Sequence, residues 1–271
     1  MIVRTVVRDC LLLNWTLPAD LLPAAPAPLR YELLRGSGER QVMVTALLFY
    51  HEGVRLASLP FVRFSYPQFC LAAAVLDGDG QPALLFRQVL APMWVVVATR
   101  LVVQQPLIPA RLHFDRPSRQ LEAEGWCWQI QQGTSSLRLD AQQSTPTLGM
   151  SSLFPSWRMA VDYFRQRRRA YYQGRRGLRC VETFYLPRVD AWPMSVNVVD
   201  PGLLQHCLPL PEAEGWARPH SSMLFPDLPL SFELSLVPAM ALPRPLPQPA
   251  AACLQPLLEA ARVRHGTVQL A

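Results

Sequence analysis

Val42-Met43-Val44-Thr45-Ala46-Leu47-Leu48-Phe49-Tyr50, followed at once by the turn signal Glu52-Gly53, reads as a β-strand rich in branched and aromatic side chains. The same texture continues to Leu139, broken by turn signals at Asp77-Gly78-Asp79-Gly80, Asp115-Arg116-Pro117 and Gln132-Gly133. That spacing is the pattern of an antiparallel β region. The strands it predicts are Val42 to Tyr50, Gln68 to Leu76, Val95 to Val103, Arg111 to Phe114, Leu121 to Gln131 and Ser136 to Asp140. Around Trp126, Trp128 and Ile130 the alternation is clean, so these three share one strand face and Cys127 points to the other.

Further along, Ser156 can cap a helix running to about Tyr172, with Trp157, Val161 and Phe164 on one side and the arginines mainly on the other. A short helix is expected near Pro18, and strands at Leu178 to Tyr185 and Met194 to Val199. From Pro209 to Pro249 there are ten prolines in 41 residues, which argues against a sheet interior and for an extended arm packed over the domain. A last helix is expected at about Ala251 to Arg264.

The chain has 271 residues, half of them hydrophobic, enough for a sizeable core. It contains no lysine: its 26 basic residues are all arginine, against 20 acidic ones, for a net charge of +6. Lysine imines, a lysine general base and a P-loop lysine are thereby excluded. The basic residues concentrate at Arg165, Arg167, Arg168, Arg169, Arg175, Arg176 and Arg179, interleaved with Tyr163, Phe164, Tyr171 and Tyr172. A solvated helix face is the simpler reading of this cluster, and the sequence argues against a nucleic-acid partner.

The six cysteines lack any CxxC pair, and the five histidines show no metal-ligand spacing. No metal is expected. No GxGxxG, Walker loop or GxSxG elbow is present, so no cofactor is expected either. Leu11-Leu12-Leu13 is too short for a signal-peptide core, and Val89 to Thr99 falls short of the roughly 20 residues that cross a bilayer. The expectation is a cytoplasmic protein without membrane association, with a homo-oligomer left open.

Asn14-Trp15, the stretch from Tyr66 through Leu112, and the capped helix followed by Trp192-Pro193 together carry a resemblance. Its best-matching runs are Phe64-Ser65-Tyr66-Pro67-Gln68, the turn at Asp77 to Gly80, Ala98-Thr99-Arg100-Leu101 and Pro106-Leu107-Ile108-Pro109-Ala110-Arg111. In order and spacing these resemble the YqjF-like bacterial family of the acetoacetate decarboxylase-like superfamily, over about residues 10 to 200. The resemblance implies a mainly β (α+β) fold: a curved antiparallel sheet closing into a barrel or cone around a pocket, with a few peripheral helices. Residues 1–205 would form this domain, and residues 206–271 the proline-rich arm and final helix packed on it.

In the decarboxylase branch of that superfamily a buried lysine after a proline forms an imine with a keto acid. The aligned stretch here is Gln105-Pro106-Leu107-Ile108, and none of these side chains can form one. Where the family pattern tends to glutamate this chain has Gln68, and where it has polar residues shortly after, this chain has Cys70 and Ala72. An amide keeps the hydrogen bonding and removes the proton acceptor. The expected function is therefore a barrel that binds a small carboxylate or apolar ligand, with Arg100, Gln68, Tyr66 and Gln104 as candidate contacts. Arg100 enters because a guanidinium forks onto a carboxylate. Two alternatives stay open: a non-lysine lyase or hydrolase acting on a small carboxylate through a histidine or Glu182, and an interaction protein using the arginine-rich helix.

Overall fold

The computed structural model describes residues 1–34, 40–102, 106–115, 125–145, 154–174, 177–185, 189–207 and 219–234. Contacts divide the chain into a compact unit, Met1–Ala239, which holds every described element, and Met240–Ala271, which lies outside the described residues together with the expected final helix.

Seven strands form a ring. In spatial order they are β1 (Ile2–Pro18), β3 (Gln41–Leu56), β4 (Leu59–Leu76), β5 (Pro82–Ala91), β10 (Arg169–Gly174), β11 (Gly177–Tyr185) and β13 (Ser221–Leu234), which pairs back onto β1. A second sheet leaves the ring through β12 (Trp192–Asp200), which pairs with β13 at one end, and continues through β9 (Ser135–Gln143), β8 (Trp126–Gln132) and β7 (Arg111–Asp115). The short strands β2 (Arg30–Tyr31) and β6 (Ile108–Pro109) flank β4 and β5. Among the described pairings all are antiparallel except those of β5 with β10 and β6. The chain is thus mainly β, with a large curved sheet and few helices, as expected.

Successive side chains of a strand point to opposite faces, and where β1, β3 and β4 pass beneath the second sheet both faces are covered. Leu11, Leu13 and Trp15 of β1, Val44 and Leu48 of β3, and Phe69 and Leu71 of β4 pack outward against Trp128, Ile130, Leu137 and Leu139 of the second sheet. Their neighbours Leu12, Met43, Phe49, Tyr66 and Cys70 face the lumen.

Two bulges set which residues face in. Asp9, at φ 46, lies where the β1–β3 register slips, so Val3 and Val7 face the lumen before it while Cys10 and Leu12 do so after it. Gly53, at φ 60, does the same for β3, with its N–H held by Ser65 Oγ at 2.9 Å. Glu52-Gly53 is therefore a bulge within a 16-residue strand and not the turn that was expected.

Three further elements correct the sequence reading. Residues 95–103 were expected as a strand, but the helix α1 (Met93–Val102) occupies this stretch. Pro92 starts it, its carbonyl accepting from the N–H groups of Val95 and Val96, and those two valines are buried while Met93, Trp94 and Val97 are exposed. With β5 already paired to its end at Ala91, packing of one helical face outweighs the β preference of the valines.

The second helix, α2 (Trp157–Arg165), is capped as expected by Ser156, whose Oγ accepts from Met159 N at 3.3 Å. It ends well before Tyr172, and β10 follows. Tyr171 and Tyr172 are adjacent and both buried, at 8% and 2% exposure, which a strand covered on two faces allows and a surface helix does not.

Residues 221–234, expected in an arm without sheet interior, form β13, which closes the ring. Its prolines fit because Pro226 and Pro229 fall between the stretch paired to β12, at Met223 and Leu224, and the stretch paired to β11, from Ser231 onward. On the β1 side the ladder skips one rung, at Asp9 opposite Pro226, where there is no N–H to give.

The expected short helix near Pro18 is a single 3-10 turn, Ala19–Leu21, and a third helix, α3 (Gly202–Cys207), buries Leu203 and Leu204 against the second sheet. Among the described residues no helix is long and apolar enough to cross a membrane.

Candidate ligand-binding site

The lumen of the ring holds a cavity of about 450 Å³, within the range of small-molecule sites. Its wall is largely aliphatic and aromatic, with Val3, Val7, Leu12, Leu47, Phe225 and Leu228 among the lining side chains. The lining residues that reach solvent are Phe64, Trp94, Ala98 and Arg168, which marks its opening at α1 and the stretch between α2 and β10.

One wall carries a polar chain across β1, β3 and β4. Thr5 Oγ1 lies 3.3 Å from His51 Nδ1, His51 hydrogen-bonds Gln68, and Gln68 Nε2 donates to Cys70 Sγ at 3.1 Å. Gln68 thus bridges the thiol and the imidazole. Burial pulls the His51 pKa down to about 4, against the smaller opposing effect of the Gln68 bond, so the ring is neutral at neutral pH. Burial also pushes the Cys70 thiol up to about 12 and raises Cys10 and the Tyr66 hydroxyl well above their usual ranges. No thiolate or charged acid–base pair is available on this wall, which offers neutral hydrogen bonds.

Aromatic rings connect this wall to the opening. Phe49 meets His51 edge-on at 5.0 Å, His51 meets Tyr66 at 4.9 Å, and Tyr66 and Phe64 both meet the half-exposed Trp94, at 5.9 and 6.0 Å. Such edge-to-face contacts fix ring orientation.

The charged side chains that line the cavity among the described residues are all arginines: Arg165, Arg167 and Arg168. Arg167 is 1% exposed in its side chain, pairs with Glu32, donates to the Tyr163 carbonyl and stacks its guanidinium 3.6 Å from the centre of the Tyr163 ring. Tyr163 in turn donates to Glu32 at 3.2 Å. Arg169 instead points away from the cavity, to Asp77 at 2.6 Å and Glu182 at 3.7 Å. The arginine cluster is therefore in part a set of internal ion pairs, where the sequence suggested a solvated face.

Of the four candidate contacts, Gln68 and Tyr66 line the cavity together. Arg100 stands exposed in the last turn of α1 and is not among the lining residues, and Gln104 lies outside the described residues. His51 and Arg168 were not singled out as ligand contacts. Their signal in sequence is inward parity along β3 and a position at a helix–strand junction, and both depend on bulges and boundaries that composition does not reveal. Glu182, bound to Arg169 and partly exposed, is not a cavity residue. Among the described residues no group of three His, Cys, Asp or Glu side chains converges on a metal position.

A closed ring of curved sheet around a pocket, with a second sheet on its flank, is the acetoacetate decarboxylase-like fold. Solved structures share it across most of the chain. The enduracididine biosynthesis enzyme MppR with HEPES buffer bound matches with a TM-score of 0.51 at 11% identity, covering 86% of this chain and 87% of that one. An acetoacetate decarboxylase-like enzyme from Sphingomonas wittichii RW1 matches at 0.50 with 15% identity, covering 86% and 89%. MppR complexed with pyruvate matches at 0.50 with 12% identity, covering 88% and 91%. At these identities the likeness is one of fold. No family model matches the chain, and no curated protein does.

Proposed function

We propose that this chain is a small-molecule-binding barrel of the YqjF-like branch of its superfamily, holding its ligand without imine chemistry. The observation that carries the reading is the cavity of about 450 Å³ in the ring, with apolar walls and one neutral hydrogen-bonding patch at His51, Gln68 and Tyr66. A few convergent polar groups in an apolar pocket are what orient a small ligand. That MppR, in the same fold, is described with HEPES and with pyruvate supports a small-molecule occupant. The sequence contains no lysine, so a carbonyl ligand would not be held as a lysine imine.

The test uses the neutral apolar dye N-phenyl-1-naphthylamine. Expected is saturable uptake of one equivalent with enhanced dye emission, weakened by Leu12→Trp, which narrows the lumen, while circular dichroism stays unchanged. No uptake by the wild type, or uptake indifferent to the narrowed lumen, would overturn the reading.

One observation favours a second reading, a non-lysine enzyme: His51 is a neutral imidazole inside the cavity. Its hydrogen bonds to Thr5 and Gln68 suit it to positioning a ligand more than to moving a proton.

A further inference from the structure

We propose that the ligand is an amphipathic organic monoanion, a carboxylate with an apolar tail, whose head binds Arg168 at the cavity opening while the tail fills the ring. This rests on the ligand-binding reading above and names the class of ligand.

The charge pattern of the wall comes first. Three arginines are among the residues that line the cavity, and among the described residues no lining side chain is a carboxylate. Two of the three are matched by acids outside the lining: Arg165 has Asp162 at 3.8 Å, and Arg167 has Glu32. Arg168 has no carboxylate partner among the described residues, although Arg169 beside it has Asp77 and Glu182. One unmatched cation at the mouth of an apolar cavity calls for one negative charge, because charge attraction strengthens where water is displaced.

The second observation is an unfilled donor. The two terminal nitrogens of Arg167 are engaged by Glu32 and the Tyr163 carbonyl, and its stacking on Tyr163 holds the guanidinium plane in place. Its Nε–H is buried and has no acceptor among the described residues. A buried donor left without a partner is rare in a settled structure and marks where an acceptor belongs. A carboxylate held by Arg168 would bring such an acceptor to the same rim.

The backbone of Arg168 is held in place. Its carbonyl accepts from Thr183 N at 2.7 Å, tying the α2–β10 junction to β11, and Thr183 also lines the cavity. Apart from the arginines, the lining side chains among the described residues are neutral, and the terminal ammonium of Met1, which also borders the cavity, is paired with Glu233 at 3.8 Å. The anionic head therefore stays at the rim and the uncharged part goes in. A long-chain cation would meet the unmatched Arg168 at the opening and is disfavoured.

Displacement of N-phenyl-1-naphthylamine from the full chain by decanoate and by 1-decanol separates the outcomes. Expected is tighter displacement by decanoate, with Arg168→Glu weakening decanoate about tenfold or more and leaving 1-decanol unchanged. Arg100→Glu, the same charge change on an exposed turn outside the lining, leaves both unchanged. If the dye itself is not taken up, the ligand-binding reading fails and this inference with it. If the dye binds but decanoate and decanol displace it equally, or Arg168→Glu has no effect on decanoate, the barrel stands and the anion site is overturned. An equal loss of decanoate binding in Arg100→Glu would assign the effect to overall charge and overturn the site in the same way.

Discussion

The two faces of the ring differ more than their shared backbone would suggest. Outward, β1, β3 and β4 meet the second sheet in a seam where Leu11, Leu13, Val44, Leu48, Phe69, Trp128 and Leu139 are all but fully buried. Inward, the alternate residues of the same strands border a cavity and carry the buried polar groups Thr5, Thr45, His51 and Gln68. One face is filled and apolar, and the other is partly empty and titratable. The seam supplies the rigidity that lets the lumen remain open, since close packing on one side resists collapse on the other.

The largest test of this contrast is Trp128→Ala, which removes the bulkiest side chain of the seam and should cost about 3–5 kcal/mol in chemical denaturation. A much smaller loss would mean that the ring stands without the second sheet.

Next in size is pH. Between its ordinary value of 6.5 and the folded value of about 4, His51 takes up a proton only in the unfolded chain. Stability from this group is complete above 6.5, falls as pH drops through the window, and changes no further below about 4, for a total of roughly 3 kcal/mol. Denaturation midpoints from pH 7.5 to 4 should show this slope in the wild type and a reduced one in His51→Gln. An identical slope in both would place the titrating group elsewhere.

A neighbouring pair separates the faces within one strand. Leu11 is fully buried in the seam, whereas Leu12 lines the cavity. Leu11→Ala should be the more destabilising by about 1–2 kcal/mol, because truncation beside an existing void forfeits fewer contacts. Equal costs would indicate that the lumen is filled in solution. The smallest effect is expected at Gln129, exposed on β8 between Trp128 and Ile130, where Gln129→Ala should stay within about 0.5 kcal/mol.

The same contrast explains what the sequence made legible. β7, β8, β9 and β12 were all anticipated, because a sheet covered on one side writes its alternation into the residues, as Trp126, Trp128 and Ile130 do against Cys127, Gln129 and Gln131. In the ring β3, β4 and β11 were anticipated, while β1, β5, β10 and β13 were not. In β1 the residues from Cys10 to Trp15 are buried on both sides, so the period of two vanishes there, and in β10 and β13 local features such as the capped start of α2 and the prolines point elsewhere. For the site, Tyr66 and Gln68 followed from position within the resemblance. His51 and Arg168 needed the bulge at Gly53 and the true end of α2, which only the assembled sheet defines.

The closing of the ring by β13 also sets the order in which the molecule can be made. Asn14 and Ser221, whose side chains hydrogen-bond in the finished barrel at 3.1 Å, are 207 residues apart. At the usual pace of translation roughly 10 to 40 s separate their synthesis. Through that interval the apolar strand β1 can pair with β3 on one side while its other edge stays open. Its partner for that edge comes from the proline-rich region, whose composition resists early, mistaken strand pairing. Ring closure is thus a late, long-range step that makes folding slow and leaves the nascent chain dependent on protection of one exposed edge.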